Sequence, residues 1–248
     1  FGIMSVLFGW AAKDQIEWLF PVNTAVFAIC ILLVLRFPPI EGHQSRGPRM
    51  HMGMLFHNRR LMLYLSLCFV LHMTLGYYYS FFPLYFQELG ADNTWVGWSM
   101  VVSSLSELPF LLLSFYLFKR IPIPYILLGA GAATAIRWFL FSAIDNPVWV
   151  FPVQALHGLI FIVLTVTMAI YINREVPPEL KASGQTLHAL LCLGIARVIG
   201  SFFGGIASEA YGMRDVFFFS SLVAAAGVGV FALIFWLDVR KSLKPRHS

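Results

Sequence analysis

Apolar runs recur along the chain between short polar or basic stretches, and about 20 residues of helix is the length that crosses a hydrocarbon core. Seven such runs are complete: Leu19 to Leu35, Leu61 to Phe86, Trp95 to Phe118, Tyr125 to Ser142, Val148 to Ile172, Leu187 to Ser208 and Val216 to Leu237. Each predicts a transmembrane helix. Phe1 to Ala12 is apolar but too short to span, and it has neither the basic start nor the small-residue cleavage site of a signal peptide. The expectation is that it is the end of a helix whose beginning lies outside this sequence. The pattern therefore predicts an all-α membrane protein, a bundle of about seven complete transmembrane helices and a partial one.

Composition agrees with this. Of 248 residues, 59% are hydrophobic and 12% charged, where a soluble domain carries about 25% charged. A net charge of +5 would suggest nucleic acid in a soluble protein, but here the basic residues sit in loops, and no nucleic-acid partner is expected. Their placement alternates. Arg36, Arg46, Arg49, Arg59 and Arg60, then Lys119 and Arg120, then Arg174 and Lys181, then Arg240, Lys241, Lys244 and Arg246 fall on one side. The connections between them hold only Lys13 and Arg214. By the excess of Lys and Arg in cytoplasmic loops, the first set and the C-terminus face the cytoplasm.

The longest connection, Arg36 to Arg60, is rich in Pro, Gly, His and Arg, as expected of a connector between two bundles. Six spans with short connections come after it. That is the layout of the C-terminal half of a twelve-helix transporter whose halves are each built from two inverted three-helix repeats. On this reading residues 1–35 are the end of helix five and helix six of an N-terminal bundle, and 36–60 are a basic cytoplasmic linker. Residues 61–238 are the C-terminal six-helix bundle, and 239–248 a cytoplasmic tail. The missing N-terminal half is then a required partner, with the lipid bilayer.

Polar groups at membrane depth carry the candidate chemistry, because an ionisable side chain in hydrocarbon needs a partner, a water-filled cavity or a route to the interface. Glu107 lies roughly 20 Å of helical rise inside its span, too deep to reach either surface, and it is the one acid deep in any predicted span. Arg137 is close enough to the outer end of its helix to snorkel, whereas Arg197 is deeper, and a salt bridge to Glu107 is its expected satisfaction. Gln154 and His157 stand three residues apart, on one face of an apolar helix. His157 serves either as a proton relay or substrate contact, or as a core histidine bonded to a backbone carbonyl. His72 is central in its span and open to the same two readings, and His188 is expected at the interface. Tyr78, in the run Tyr77-Tyr78-Tyr79 with Phe81 and Phe82, offers a ring platform for an aromatic or sugar substrate, or simple packing. Gly200, Gly204 and Gly205 form a small-residue pattern that lets helices approach closely. Cys30, Cys68 and Cys192 lie inside apolar runs with no metal or redox spacing.

Several of these stretches resemble the major facilitator superfamily, in its branch of lactose permease and 3-phenylpropionic acid transporter-like proteins. The likeness covers nearly the whole chain. It rests on Ser106-Glu107-Leu108-Pro109-Phe110, Ile136-Arg137-Trp138, Gln154-Ala155-Leu156-His157-Gly158, and Gly204-Gly205 through Tyr211-Gly212. The resemblance implies the superfamily's bundle, with this chain supplying helices five to twelve. It also implies that Glu107, Arg137 and His157 match a substrate-binding Glu, a proton-coupling Arg and a His of the permease. The permease's proton-carrying Glu has no counterpart, since Ile160 stands there, and its acidic helix-seven pair is absent around His72. The proton would then fall to Glu107 or to an acid on the missing half.

The expected function is secondary active transport, by proton symport, of a small organic solute such as an aromatic or other carboxylate, or a sugar. An Arg unpaired in the cavity favours a carboxylate, because a guanidinium grips one with two hydrogen bonds. Proton-antiport efflux, and a receptor or assembly role on the same fold, are the alternatives. No His-Glu-x-x-His cluster, nucleotide loop or cofactor motif is present, so neither an enzyme nor a bound cofactor is expected. The inner membrane is the expected location.

Overall fold

The computed structural model describes residues 17, 19–37 and 53–243. The predicted partial span, most of the linker and the last residues of the tail lie outside them. Six described helical segments are long and apolar enough to cross a membrane: Arg59–Glu88, Asn93–Ser114, Ile123–Ala143, Pro147–Glu175, Pro178–Tyr211 and Met213–Arg240. The expected seventh, α1 (Leu19–Leu35), is a helix of 17 residues. All its described side chains from Phe20 onward are exposed.

Within the predicted linker a short helix, α2 (Gly53–His57), buries Leu55. Asn58 comes next and caps α3 (Arg59–Glu88), its side-chain oxygen accepting from the Leu61 N–H at 3.1 Å. This satisfies one of the amides that a helix start leaves unpaired. Gly90, at φ 93°, turns the chain after α3, a conformation that costs glycine little. Asp92 caps α4 (Asn93–Arg120) by accepting from Trp95 N–H at 2.9 Å. Pro122 precedes α5 (Ile123–Ala143).

The fourth span is broken. A 3₁₀ turn over Pro147–Trp149 leads into α6 (Val150–Gln154), which passes through Ala155 into α7 (Leu156–Glu175). The fifth is broken differently: α8 (Lys181–His188) widens into a π-helical segment, Ala189–Ile195, before α9 (Ala196–Tyr211). Gly212, at φ 89°, ends α9, and α10 (Met213–Leu243) closes the bundle.

Helix pairing follows a symmetry. Counting spans from α3, the main contacts are the first with the fifth (α3 and α9), the second with the fourth (α4 and α7) and the third with the sixth (α5 and α10), and after these α5 with α7 and α3 with α10. Moving every span three places along turns the first pair into the second, leaves the third unchanged, and exchanges the last two. That is the contact map of two inverted three-helix repeats. The close crossings are set by glycine. A Cβ on Gly200 would collide with the Met73 carbonyl and one on Gly76 with the Arg197 backbone, both between α3 and α9. In the symmetry-related crossing, a Cβ on Gly158 would collide with the Ser106 backbone. The expected packing role of Gly204 and Gly205 holds as well, since they face the rings of Tyr77 and Phe81.

Candidate functional site

Arg137 is wholly buried. It does not snorkel. Its Nη2 donates to Gln154 Oε1 at 2.5 Å and its Nη1 to His157 Nδ1 at 3.0 Å. Its guanidinium carbon lies 4.4 Å from the centre of the Tyr78 ring and 5.0 Å from that of Trp138. The break at Ala155 still leaves Gln154 and His157 aimed at one partner, as their spacing predicts. Turning inward gives Arg137 two acceptors and an aromatic face, more than a headgroup would give a residue that had to leave the core.

Gln154 joins the elements. Its Oε1 also accepts from Tyr78 O–H at 2.9 Å, and its Nε2 faces Ser99 Oγ at 3.5 Å. Two donors on one side fix that atom as the carbonyl oxygen, since an amide nitrogen cannot accept. The network thus ties α3, α4, α5 and α6.

The same reasoning fixes His157. A guanidinium only donates, so His157 Nδ1 must accept, the ring is neutral in this arrangement, and its hydrogen sits on Nε2. That edge faces Glu107 Oε1 at 3.6 Å and Tyr79 O–H at 3.3 Å. Because Nε2 now donates, its one hydrogen goes to the Tyr79 oxygen, and Glu107 stands just beyond hydrogen-bond distance. The Glu107 side chain is 29% exposed against 5% for His157, so Glu107 is the open end of a chain that begins at buried Arg137.

Arg197 does not form the expected bridge to Glu107. Among the described residues Glu107 pairs with His157, while the Arg197 guanidinium lies 4.7 Å from the centre of the Tyr79 ring. The π-helical segment before it supplies a reason, since each residue inserted into a helix rotates the rest of that helix by about 100° relative to an unbroken one. His72 and His188 stand apart from this network. His72 Nδ1 bonds the Cys68 carbonyl at 2.8 Å, and the two imidazole centroids are 6.2 Å apart. His188 is buried rather than interfacial, because α8 continues directly into the fifth span.

Sequence reasoning missed the partners of three residues, Ser99, Ser106 and Thr74, and placed Tyr79 only in the ring run beside Tyr78. Tyr79 bridges His157 and Arg197, Ser99 meets Gln154, Ser106 Oγ accepts from Gly158 N–H at 2.9 Å, and Thr74 accepts from Trp138 Nε1–H at 2.9 Å. Serine and threonine can satisfy themselves on the carbonyl three or four residues back, so their presence in an apolar run gives no signal of a tertiary partner. Among the described residues no group of three or more His, Cys, Asp or Glu could hold a metal ion.

A six-span bundle with inverted-repeat contacts and a buried polar network across four helices defines the fold class of the major facilitator superfamily. The sequence model of the MFS_1 like family matches residues 1–219, and the chain belongs to that family. Its relatives include YegT of Escherichia coli (strain K12), named for nucleoside transport, at 29% identity over 62% of this chain and 37% of that protein. The maltose permease of Geobacillus stearothermophilus is 27% identical over 62% of this chain and 39% of the permease. A protein named as a 3-phenylpropionic acid transporter, from Escherichia coli (strain K12), is 27% identical over 59% and 38%. The matched stretch thus spans well under half the length of these relatives. A crystal structure of the nucleoside transporter NupG superposes with a TM-score of 0.75 at 18% identity, covering 93% of this chain and 64% of that one, which shows a shared fold.

Proposed function

We propose that this chain supplies helices five to twelve of a secondary active transporter that takes up a small organic solute by proton symport, in the cytoplasmic membrane. Residues 61–238 are the C-terminal bundle, 1–35 belong to the N-terminal bundle, 36–60 link the two and 239–248 form a cytoplasmic tail. The observation that carries the reading is the chain Glu107–His157–Arg137–Gln154–Tyr78, which holds an acid at membrane depth against a neutral histidine and a buried arginine. Such groups are costly to keep inside a membrane and mark substrate or ion pathways. Glu107 is the acid that gains and loses the proton, His157 carries its effect to Arg137, and Arg137 with Gln154 and Tyr78 fixes the cavity wall. Arg197 and Tyr79 complete the wall from α9 and α3. His72 makes no hydrogen bond or ion pair to this network among the described residues and is the weakest of the predicted pathway residues. The names of the three relatives described above denote small organic solutes. The solute site sits at the face this half presents to the other, and two bundles rocking about it give alternating access.

The test is uptake of labelled uridine, maltose and 3-phenylpropionate by cells expressing the full-length gene. Uptake of at least one of the three is expected, abolished by an uncoupler and lost or uncoupled in Glu107→Gln. Accumulation against a gradient that persists in that variant would exclude Glu107 as the coupling acid.

A further inference from the structure

We infer that Arg197 is a binding site for the negative charge of an anionic solute, with the Tyr79 ring beneath it, so that the transported compound is a monocarboxylate. This deepens the transport reading and rests on it. The two buried-span arginines differ in what they leave free. Arg137 is committed to Gln154, His157 and the rings of Tyr78 and Trp138. Among the described residues, Arg197 makes neither a hydrogen bond nor an ion pair; its Nε, like that of Arg137, is buried without a partner, and its guanidinium lies against the face of Tyr79.

A guanidinium at this depth is stable only if something anionic or strongly polar meets it. The one deep acid of this half, Glu107, is turned toward His157. The arrangement suits a ligand. Arg197 is half-buried and Tyr79 is 38% exposed, so the two terminal nitrogens of the guanidinium, which have no partner among the described residues, are left as donors beside the Tyr79 ring. A carboxylate meets such a plane edge-on with two hydrogen bonds, and a solute held there lies beside Tyr79 O–H, which is in turn 3.3 Å from His157.

Charge supports the assignment. With His157 neutral, Arg137 and Arg197 carry two positive charges and ionised Glu107 one negative, leaving an excess of one. A monoanion cancels it. When Glu107 takes up a proton the excess becomes two, so the protonated site holds the anion more tightly, and by linkage the bound anion favours the protonated site. Proton and carboxylate then load together, and Tyr79, Arg137, His157 and Arg197 are the groups around Glu107 through which the charge acts.

The test uses the purified full-length protein in detergent, with thermal unfolding and equilibrium binding of two probes of one shape, 3-phenylpropionate and its neutral amide. Wild type should bind the carboxylate more tightly than the amide. Arg197→Gln should weaken the carboxylate at least tenfold and leave the amide within twofold, Arg197→Lys should recover part of the loss, and Glu107→Gln should tighten the carboxylate. No preference for the carboxylate in wild type overturns the inference. So does an equal loss of both probes in Arg197→Gln with a lowered ligand-free melting temperature, which is the signature of an arginine paired to an acid elsewhere in the protein. Carboxylate binding that depends on Arg197 without uncoupler-sensitive uptake would leave the site standing and remove the transport reading; uncoupler-sensitive uptake of uridine or maltose without that dependence would do the reverse.

Discussion

Arg137 holds two hydrogen-bond acceptors and lies against three aromatic rings, those of Tyr78, Trp138 and Phe141, at once. Lysine has the charge but not the planar fork, so Arg137→Lys leaves Gln154 or His157 without its donor. Breaking a buried charged network from one side costs about 3–5 kcal/mol. The variant is expected to melt well below wild type in detergent, and an unchanged melting temperature would count against the network as a structural element. Gln154→Ala is expected to cost about 1–3 kcal/mol, because it strands the donors of Arg137 and Tyr78 in a dry site. Tyr78→Phe removes one donor and leaves Gln154 Oε1 still bonded to Arg137, so its cost should be about 1 kcal/mol or less. The order of the three melting temperatures is the measurement.

At the scale of elements, two glycine crossings hold the halves of the bundle together. Gly158 and Gly200 lie where a Cβ would strike backbone on the facing helix, so neither Gly158→Ala nor Gly200→Ala can be absorbed by a rotamer change. Each should force a helix shift and destabilise by about 1–3 kcal/mol. Gly129, in α5, has nothing within 4 Å of the place its Cβ would occupy. Gly129→Ala is expected to be neutral or to stabilise by up to about 1 kcal/mol, the helix propensity gained. Unfolding of the three purified variants separates close packing from propensity. The glycines of Gly200-Ser-Phe-Phe-Gly204-Gly205 are legible as a packing signal in the sequence. Gly158 is not, because its crossing partner, the Ser106 backbone, comes from a helix some fifty positions earlier in the chain.

The whole molecule carries a layer of exposed apolar side chains, among them Leu112 at 76% and Val198 at 68%, which is what a lipid-facing surface requires. Six spans alternate in direction, so helix ends divide between two faces. With the basic ends inside, a cysteine introduced at Lys119 or Arg174 should resist a membrane-impermeant maleimide in intact cells and react after permeabilisation. One placed at Gln87 or Asn146 should react at once. Labelling of all four from one side would contradict the alternation itself.

Hydropathy is enough to place these six spans, because the cost of leaving a polar backbone or a charge in hydrocarbon acts locally on each run of about 20 residues. For the same reason the sequence singles out Glu107, Arg137, Gln154, His157 and Arg197 as groups that need an explanation. What it could not determine is which of them meet. A guanidinium, an acid and an imidazole on different helices have several mutually satisfying pairings of similar worth, and the expected Glu107 to Arg197 bridge was a reasonable one. The choice depends on helix rotation, and the glycine crossings, the break at Ala155 and the π-helical segment before Arg197 set that rotation together. Only the packed bundle therefore decides that Arg137 is sealed in, that Glu107 lies beside His157 at the exposed end of the network, and that Arg197 lies against the face of Tyr79.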